Sequence, residues 1–198
     1  TGVVGTYNFN GVGGTDNFVV TGTDQNDRFG ISSSGVNHFV NGVNVSFYGF
    51  ANIANIIVDG QDGDDQFQVS PILATQTLRV SGGNPSAGSD SLDFSASAVV
   101  ANLVTIDLGV STIQEATLGL VSFSGIEILN ANANGHNLTV LGTTGNDVLD
   151  VTPIGADAAT VKLLSSNPNT GSTPVVNGSS ISNLSVDLLA GSDRLIVN

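Results

Sequence analysis

The chain contains no cysteine. That excludes disulfides and thiolate metal sites, leaving packing, backbone hydrogen bonds and bound ions to hold the fold. Basic residues number only four, Arg28, Arg79, Lys162 and Arg194, against 17 acids, for a formal net charge of −13. Phosphate neutralisation needs clustered Lys and Arg, so nucleic acid is excluded as a partner, and so is a polybasic contact with anionic lipid. No apolar run approaches the ~20 residues of a membrane-spanning helix, so no membrane insertion is expected. There is no tryptophan and there are only two tyrosines, Tyr7 and Tyr48, a poor inventory for stacking on sugars. Glutamate is nearly absent too: 15 of the acids are Asp, and only Glu115 and Glu127 are Glu. Helical surfaces carry Glu as readily as Asp, whereas turns and ion-binding loops favour Asp.

What is present is Gly, Asn, Ser and Thr, interleaved with Val, Ile, Leu and Phe. Gly and Asn interrupt nearly every window long enough for a helix, and β-branched residues dominate the apolar positions. The chain therefore reads as all-β. It begins at Thr1 without a signal-peptide pattern and is read as a mature or excised piece of something longer. No linker divides residues 1–198, which form a single β repeat domain, with Ser165–Pro174 as the best candidate for an exposed loop.

A short unit recurs six times: Gly or a small polar pair, Asp, any residue, Phe or Leu, any residue, then an apolar residue. The copies centre on Asp16, Asp27, Asp65, Asp90, Asp147 and Asp193. Gly and Asn permit the tight turn. The Asp can bond backbone amides or an ion, and the next two apolar residues share one strand face. A short strand ending in Gly or a small residue often precedes the turn, as in Ile56-Ile57-Val58-Asp59-Gly60, Leu78-Arg79-Val80-Ser81-Gly82 and Leu138-Thr139-Val140-Leu141-Gly142. Repeated strand–loop–strand units of this kind predict a β-solenoid, a parallel β-helix or β-roll, whose equivalent loops stack on one edge. The intervals between the six Asp are irregular: 11, 38, 25, 57 and 46 residues. Val36–Val40, Asn41-Gly42 and Val43–Phe47 also read as a β-hairpin with a type I′ turn, and Asn177-Gly178 as a second one. Such hairpins suit the alternative, an antiparallel β-sandwich or mixed β stack.

The turns resemble degenerate forms of the hemolysin-type (RTX) calcium-binding nonapeptide, G-G-x-G-x-D-x-U-x, where U is a large apolar residue. Gly142-Thr143-Thr144-Gly145-Asn146-Asp147-Val148-Leu149-Asp150 keeps the first and fourth Gly, the Asp and the apolar residue. Gly60-Gln61-Asp62-Gly63-Asp64-Asp65-Gln66-Phe67-Gln68 keeps the same four. The resemblance implies a parallel β-roll with Ca²⁺ between successive turns, in a large bacterial secreted or surface protein.

The residues suggest calcium as well. Asp59, Asp62, Asp64 and Asp65 place four carboxylates within seven residues, which repel one another unless a cation neutralises them. Asp24 with Asp27 is the next pair. Asp147 with Asp150 and Asp90 with Asp93 are expected to present both side chains on one strand face as further metal ligands. Arg28 and Arg194 read as solvated surface charges, and His38 and His136 as exposed. No G-x-S-x-G elbow, phosphate loop or H-E-x-x-H occurs, so no enzyme is expected. The expectation is an extracellular or cell-surface structural or adhesive module. It would be stabilised by Ca²⁺ and would self-associate with identical or tandem modules into a fibre, layer or array. The alternative is a polysaccharide-binding or polysaccharide-degrading β-helix protein, with cell-surface glycans as partners.

Overall fold

The structure is a computed structural model that describes residues 5–84, 88–98, 103–166 and 173–198. Most of the expected Ser165–Pro174 loop, residues 167–172, lies outside them. The described residues form nineteen strands and no helix. One sheet has the spatial order β1 (Gly5–Asn10), β5 (Val43–Ala51), β4 (Gly35–Val40), β3 (Asp27–Ser32), β7 (Gln66–Val69), β9 (Ser91–Ser95), β13 (Ile128–Asn132), β17 (Val175–Ser179), β16 (Ala159–Ser165), β15 (Val148–Pro153) and β19 (Arg194–Val197). The other runs β18 (Leu184–Asp187), β14 (Asn137–Leu141), β10 (Leu103–Asp107), β11 (Thr112–Glu115), β12 (Leu120–Ser124), β8 (Thr77–Ser81), β6 (Asn55–Asp59) and β2 (Asn17–Thr21).

Both sheets are mixed. Antiparallel pairing is confined to three meanders, β3-β4-β5, β10-β11-β12 and β15-β16-β17. Every other pairing is parallel, so a purely antiparallel sandwich is not formed. Outside the meanders, the chain crosses from one sheet to the other after each strand. The meanders also explain the irregular Asp intervals. The interval of 25 residues between Asp65 and Asp90 contains none, whereas those of 38, 57 and 46 each contain one.

Alternation along each strand builds the core. In β6 and β8 the buried residues are Ile56 and Val58, and Leu78 and Val80. The parallel register sets Ile56 against Leu78 and Val58 against Val80. In the other sheet Phe29, Phe67, Leu92, Leu129 and Val176 follow one another across β3, β7, β9, β13 and β17, and all are fully buried. Like residues thus stack on like, which is why the repeat is visible in the sequence. Residues of both sheets contribute to one continuous apolar cluster. Each large side chain so buried contributes about 1.5–3 kcal/mol.

Asn41 and Gly42 have φ of 47° and 78°, the paired positive values of a type I′ turn. The second expected hairpin is not there. Asn177 and Gly178 lie inside β17, where a Cβ on Gly178 would meet Ile181 Cδ1 and Leu138 Cδ2 at 2.8 Å. The glycine serves close packing between the sheets, not a turn.

Phe67 lies between Phe29, stacked on it with ring centroids 5.3 Å apart, and Leu92. Phe67→Ala is therefore expected to cost about 3–5 kcal/mol, read as a lower urea midpoint. Val19→Ala, on the exposed face of β2, should change stability by no more than about 0.5 kcal/mol.

Candidate functional site: a carboxylate ladder at one edge

Among the described residues, turns that lead from the eight-stranded sheet into the eleven-stranded one place an acid at the start of the new strand. These are Asp27 as the first residue of β3, Asp65 before β7, Asp90 before β9, Glu127 before β13, Asp147 before β15 and Asp193 before β19. Five of the six motif acids stand at this edge. Asp16 does not: it precedes β2, in a turn running the other way. Glu127 fills the remaining place and was missed because its turn is short and its acid is Glu. Its signal was the spacing of Glu127, Leu129 and Ala131, which matches that of Asp65, Phe67 and Val69.

The acids are linked by one repeated hydrogen bond. The Asp27 amide donates to Asp65 Oδ1 at 2.8 Å, the Asp65 amide to Asp90 Oδ1 at 2.8 Å and the Asp90 amide to Glu127 Oε2 at 2.8 Å. Beyond the third meander the Asp147 amide donates to Asp193 Oδ1 at 2.9 Å. A second row runs one residue earlier, where Asn26 Oδ1 accepts from the Asp64 amide and Asn146 Oδ1 from the Ser192 amide. Threonine completes two of the turns. Thr23 donates its amide and hydroxyl to Asp27 Oδ2, and Thr143 donates its amide to Asp147 Oδ2 and its hydroxyl to Oδ1.

The glycine ahead of the Asp, five residues earlier at Gly60 and eight at Gly82, has a steric reason. A Cβ on Gly60 would overlap Asp65 Oδ2 and crowd the Gly82 carbonyl oxygen, and one on Gly82 would overlap the Gly125 carbonyl and crowd Asp90 Oδ2. Asp65 and Asp90 are only 1% and 0% exposed, and their Oδ2 atoms have no hydrogen-bond partner. Burial pushes the Asp65 carboxyl from its ordinary 3.8 up to about 7, against the Asp27 amide and with the charges of Asp90, Asp27 and Asp64 adding to the rise. Burial likewise raises Asp90 to about 6, against the Asp65 amide, with Glu127 and Asp64 adding.

The expected metal ligands do not converge. Asp59 accepts from the Gln61 amide and Nε2, Asp62 from Asn84 Nδ2, and Asp64 from the Gly88 amide, while Asp65 points inward. Asp24 is exposed, but Asp27 is buried against His38 Nε2 at 3.1 Å. Asp90 and Asp147 face inward, whereas Asp93 and Asp150 face outward. Asp93 accepts from Gln66 and Asn130 at 2.7 Å each, and Asp150 from Thr152 and Asn198. Sharing a face was the wrong expectation, because residues three apart in a strand point to opposite sides. Among the described residues, no three His, Asp or Glu side chains gather as a ligand set.

Both histidines are buried rather than exposed. His38 shares the inward face of β4 with Val36 and stacks on Phe29 at 4.7 Å. His136 Nε2 lies 2.7 Å from the Ser97 carbonyl oxygen. Arg28 does not bridge acids: its guanidinium lies 3.8 Å from the Phe39 ring centroid and donates to Gln68 Oε1. The chain matches no protein-family model, no curated protein and no solved structure.

The raised carboxyls set the sign of a pH effect. From about pH 4 the folded chain holds protons that the unfolded chain has released, up to about pH 7 on Asp65 and about pH 6 on Asp90. Stability is therefore fully present below that window and is lost as pH rises through it. The urea midpoint is expected to fall from pH 4 to pH 7. Asp65→Asn, which keeps the Oδ1 acceptor and puts a donor at the second position, should flatten the slope relative to the parent chain. A midpoint that rises across the window, or an unchanged slope in the variant, would count against the neutral carboxyl.

Proposed function

We propose that the chain is an extracellular structural module of a repeat array, built as a β-solenoid in which successive turns are locked by the carboxylate ladder. The observation that carries this reading is the same acid-led turn, recurring at each described crossing into the eleven-stranded sheet and bonded to its equivalent from Asp27 to Glu127 and from Asp147 to Asp193. An arrangement whose buried polar contacts mostly join one turn to the next serves rigidity and extension. The resemblance of the Gly142–Asp150 and Gly60–Gln68 turns to RTX repeats supports a secreted or surface setting.

Sugar binding has less support. Its distinguishing feature is a groove lined with exposed aromatics. Tyr7 and Phe9 are exposed, but they extend the inward-facing positions of Tyr48 and Phe50 at the end of a sheet. Incubation with acidic polysaccharides is expected to release no reducing sugar, and measurable release would replace the structural reading with an enzymatic one.

Calcium has a narrower place here than the turn motif suggests. The inward Oδ1 atoms of Asp65 and Asp90 accept from backbone amides, so the loop acids that meet solvent are Asp24, Asp59, Asp62 and Asp64, as part of a surface of net charge −13. A divalent cation acts there as a counterion. Thermal melts in millimolar Ca²⁺ and in EGTA, matched in ionic strength with NaCl, are expected to coincide. A ligand specific to the folded chain adds ~2.7 kcal/mol at a hundred times its Kd, so a calcium-specific rise of several degrees would restore the ion as the lock between turns.

A further inference from the structure

We propose that Asn41 is a site of spontaneous deamidation, in which water replaces ammonia at the side chain and leaves aspartate or isoaspartate at the tip of the β4–β5 hairpin. The chain has four Asn-Gly pairs, led by Asn10, Asn41, Asn134 and Asn177. In such a pair the backbone nitrogen of the glycine can attack the Asn side-chain carbonyl carbon, and glycine hinders that approach least because it has no Cβ. Two Asp-Gly pairs, led by Asp59 and Asp62, invite the same attack. The sequence does not distinguish one pair from another, but the backbone does.

The attacking nitrogen must first give its proton to solvent, and a hydrogen bond within the fold withholds that proton until the bond opens. Gly11 donates to the Ala51 carbonyl at 3.0 Å and Gly135 to the Ser180 carbonyl at 2.6 Å. Gly60 donates to Ser81 at 2.9 Å and Gly63 to Asn84 at 3.2 Å. Gly178 is buried in β17, paired with Ala131 of β13 on one side and Ala159 of β16 on the other. Gly42 is the one glycine of the six outside a strand whose amide has no acceptor among the described residues. The type I′ turn is the reason: pairing resumes at Val40 and Val43 and passes over the amide between them. Asn41 and Gly42 are both exposed, and a Cβ on Gly42 would meet nothing within 4 Å. Ring closure also turns Asn41 out of its positive φ, a local opening that a hairpin tip undergoes more readily than a paired strand.

The Gly42 nitrogen, its proton lost to solvent, bonds to Asn41 Cγ, and the side-chain nitrogen leaves as ammonia, closing a five-membered imide. Water opens the imide at either carbonyl, giving aspartate or, with the chain routed through the side chain, isoaspartate. Nothing is oxidised or reduced, and one neutral amide becomes a carboxylate. The product bears on the turn beneath it. Asn41 donates its amide to the Asn26 carbonyl and its Nδ2 to Gln25 Oε1, so the hairpin tip rests on the turn that carries Asp24 and Asp27. A carboxylate cannot make the second of these bonds and adds charge to an already acidic turn. Isoaspartate also lengthens a two-residue loop whose length sets the hairpin register. Deamidation therefore loosens the β3-β4-β5 meander where it touches the ladder.

Cleavage after the four basic residues puts each Asn-Gly pair in its own peptide, 1–28, 29–79, 80–162 and 163–194, so peptide mass spectrometry tests this directly. The chain is aged at body temperature in mildly alkaline buffer, with a parallel sample kept unfolded in guanidinium chloride, and both are digested at intervals. In the folded chain, peptide 29–79 is expected to gain the mass of an amide turned to an acid about tenfold faster than the other three, which must first open a backbone hydrogen bond. Fragmentation should place the gain at Asn41 and not at Asn37, Asn44, Asn52 or Asn55, with isoaspartate beside aspartate. In guanidinium chloride the four peptides should convert at similar rates. Equal rates in the folded chain, a faster gain in another peptide, conversion at another Asn of 29–79, or an undiminished lead of 29–79 in the unfolded sample overturns the assignment.

Discussion

A backbone amide pointing at the carboxylate of the next turn is the contact on which the rest of this molecule depends. Asp27, Asp65, Asp90 and Glu127 are joined by it without a gap. A carboxyl taken out of water is costly unless its oxygens find donors, and a buried amide is costly without an acceptor. The rung gives the amide its acceptor and one carboxyl oxygen its donor, and fixes the spacing of successive turns, while Oδ2 of Asp65 and Asp90 has no hydrogen-bond partner. It also dictates the residues around it. Asp is short enough to stay in its own turn while its Oδ1 meets the neighbouring amide. Its Oδ2 then lies against the glycine five positions earlier at Gly60, where any side chain would collide.

Much of this was legible in the sequence, because parallel, in-register stacking places equivalent residues on top of one another. The recurring strand before the turn was visible for that reason: Ile56 and Leu78, like Leu138 and Leu184, are direct neighbours across parallel strands. What was not legible follows from the same geometry. A meander adds two strands to one sheet without adding a rung, so sequence distance ceases to measure distance along the stack. The local turn also does not reveal which edge it occupies. Asp16 has the full motif, with a glycine five residues earlier that crowds its Oδ2, and yet it faces the other edge, while Glu127 completes the ladder with hardly any of the motif.

The candidate metal ligands show a different limit. Four acids within seven residues suggest a shared ion when the chain is read as a line. Around a turn, successive side chains leave in different directions, and Asp59, Asp62 and Asp64 each find a separate amide. The outward face solves the same crowding another way. Asp93 lies between Gln66 and Asn130, and Asn177 continues the row by donating to Asn130. Amide side chains can both donate and accept, so a column of them propagates across strands, and one acid within it is satisfied from both sides.

Stacking like on like brings acids together, which charge repulsion should forbid. The ladder avoids this by alternation. Going up the edge, each carboxylate meets an amide before it meets another carboxylate, and two buried carboxyls, Asp65 and Asp90, keep their protons well above the usual range because burial disfavours the charged form. The interior of the stack therefore carries less charge than its acid count implies, and the repulsion is left to the outer surface, where water and salt screen it. An acidic chain can thus extend by adding identical turns: the contacts that join turns are hydrogen bonds and apolar side chains, and the net charge opposes growth only at the surface.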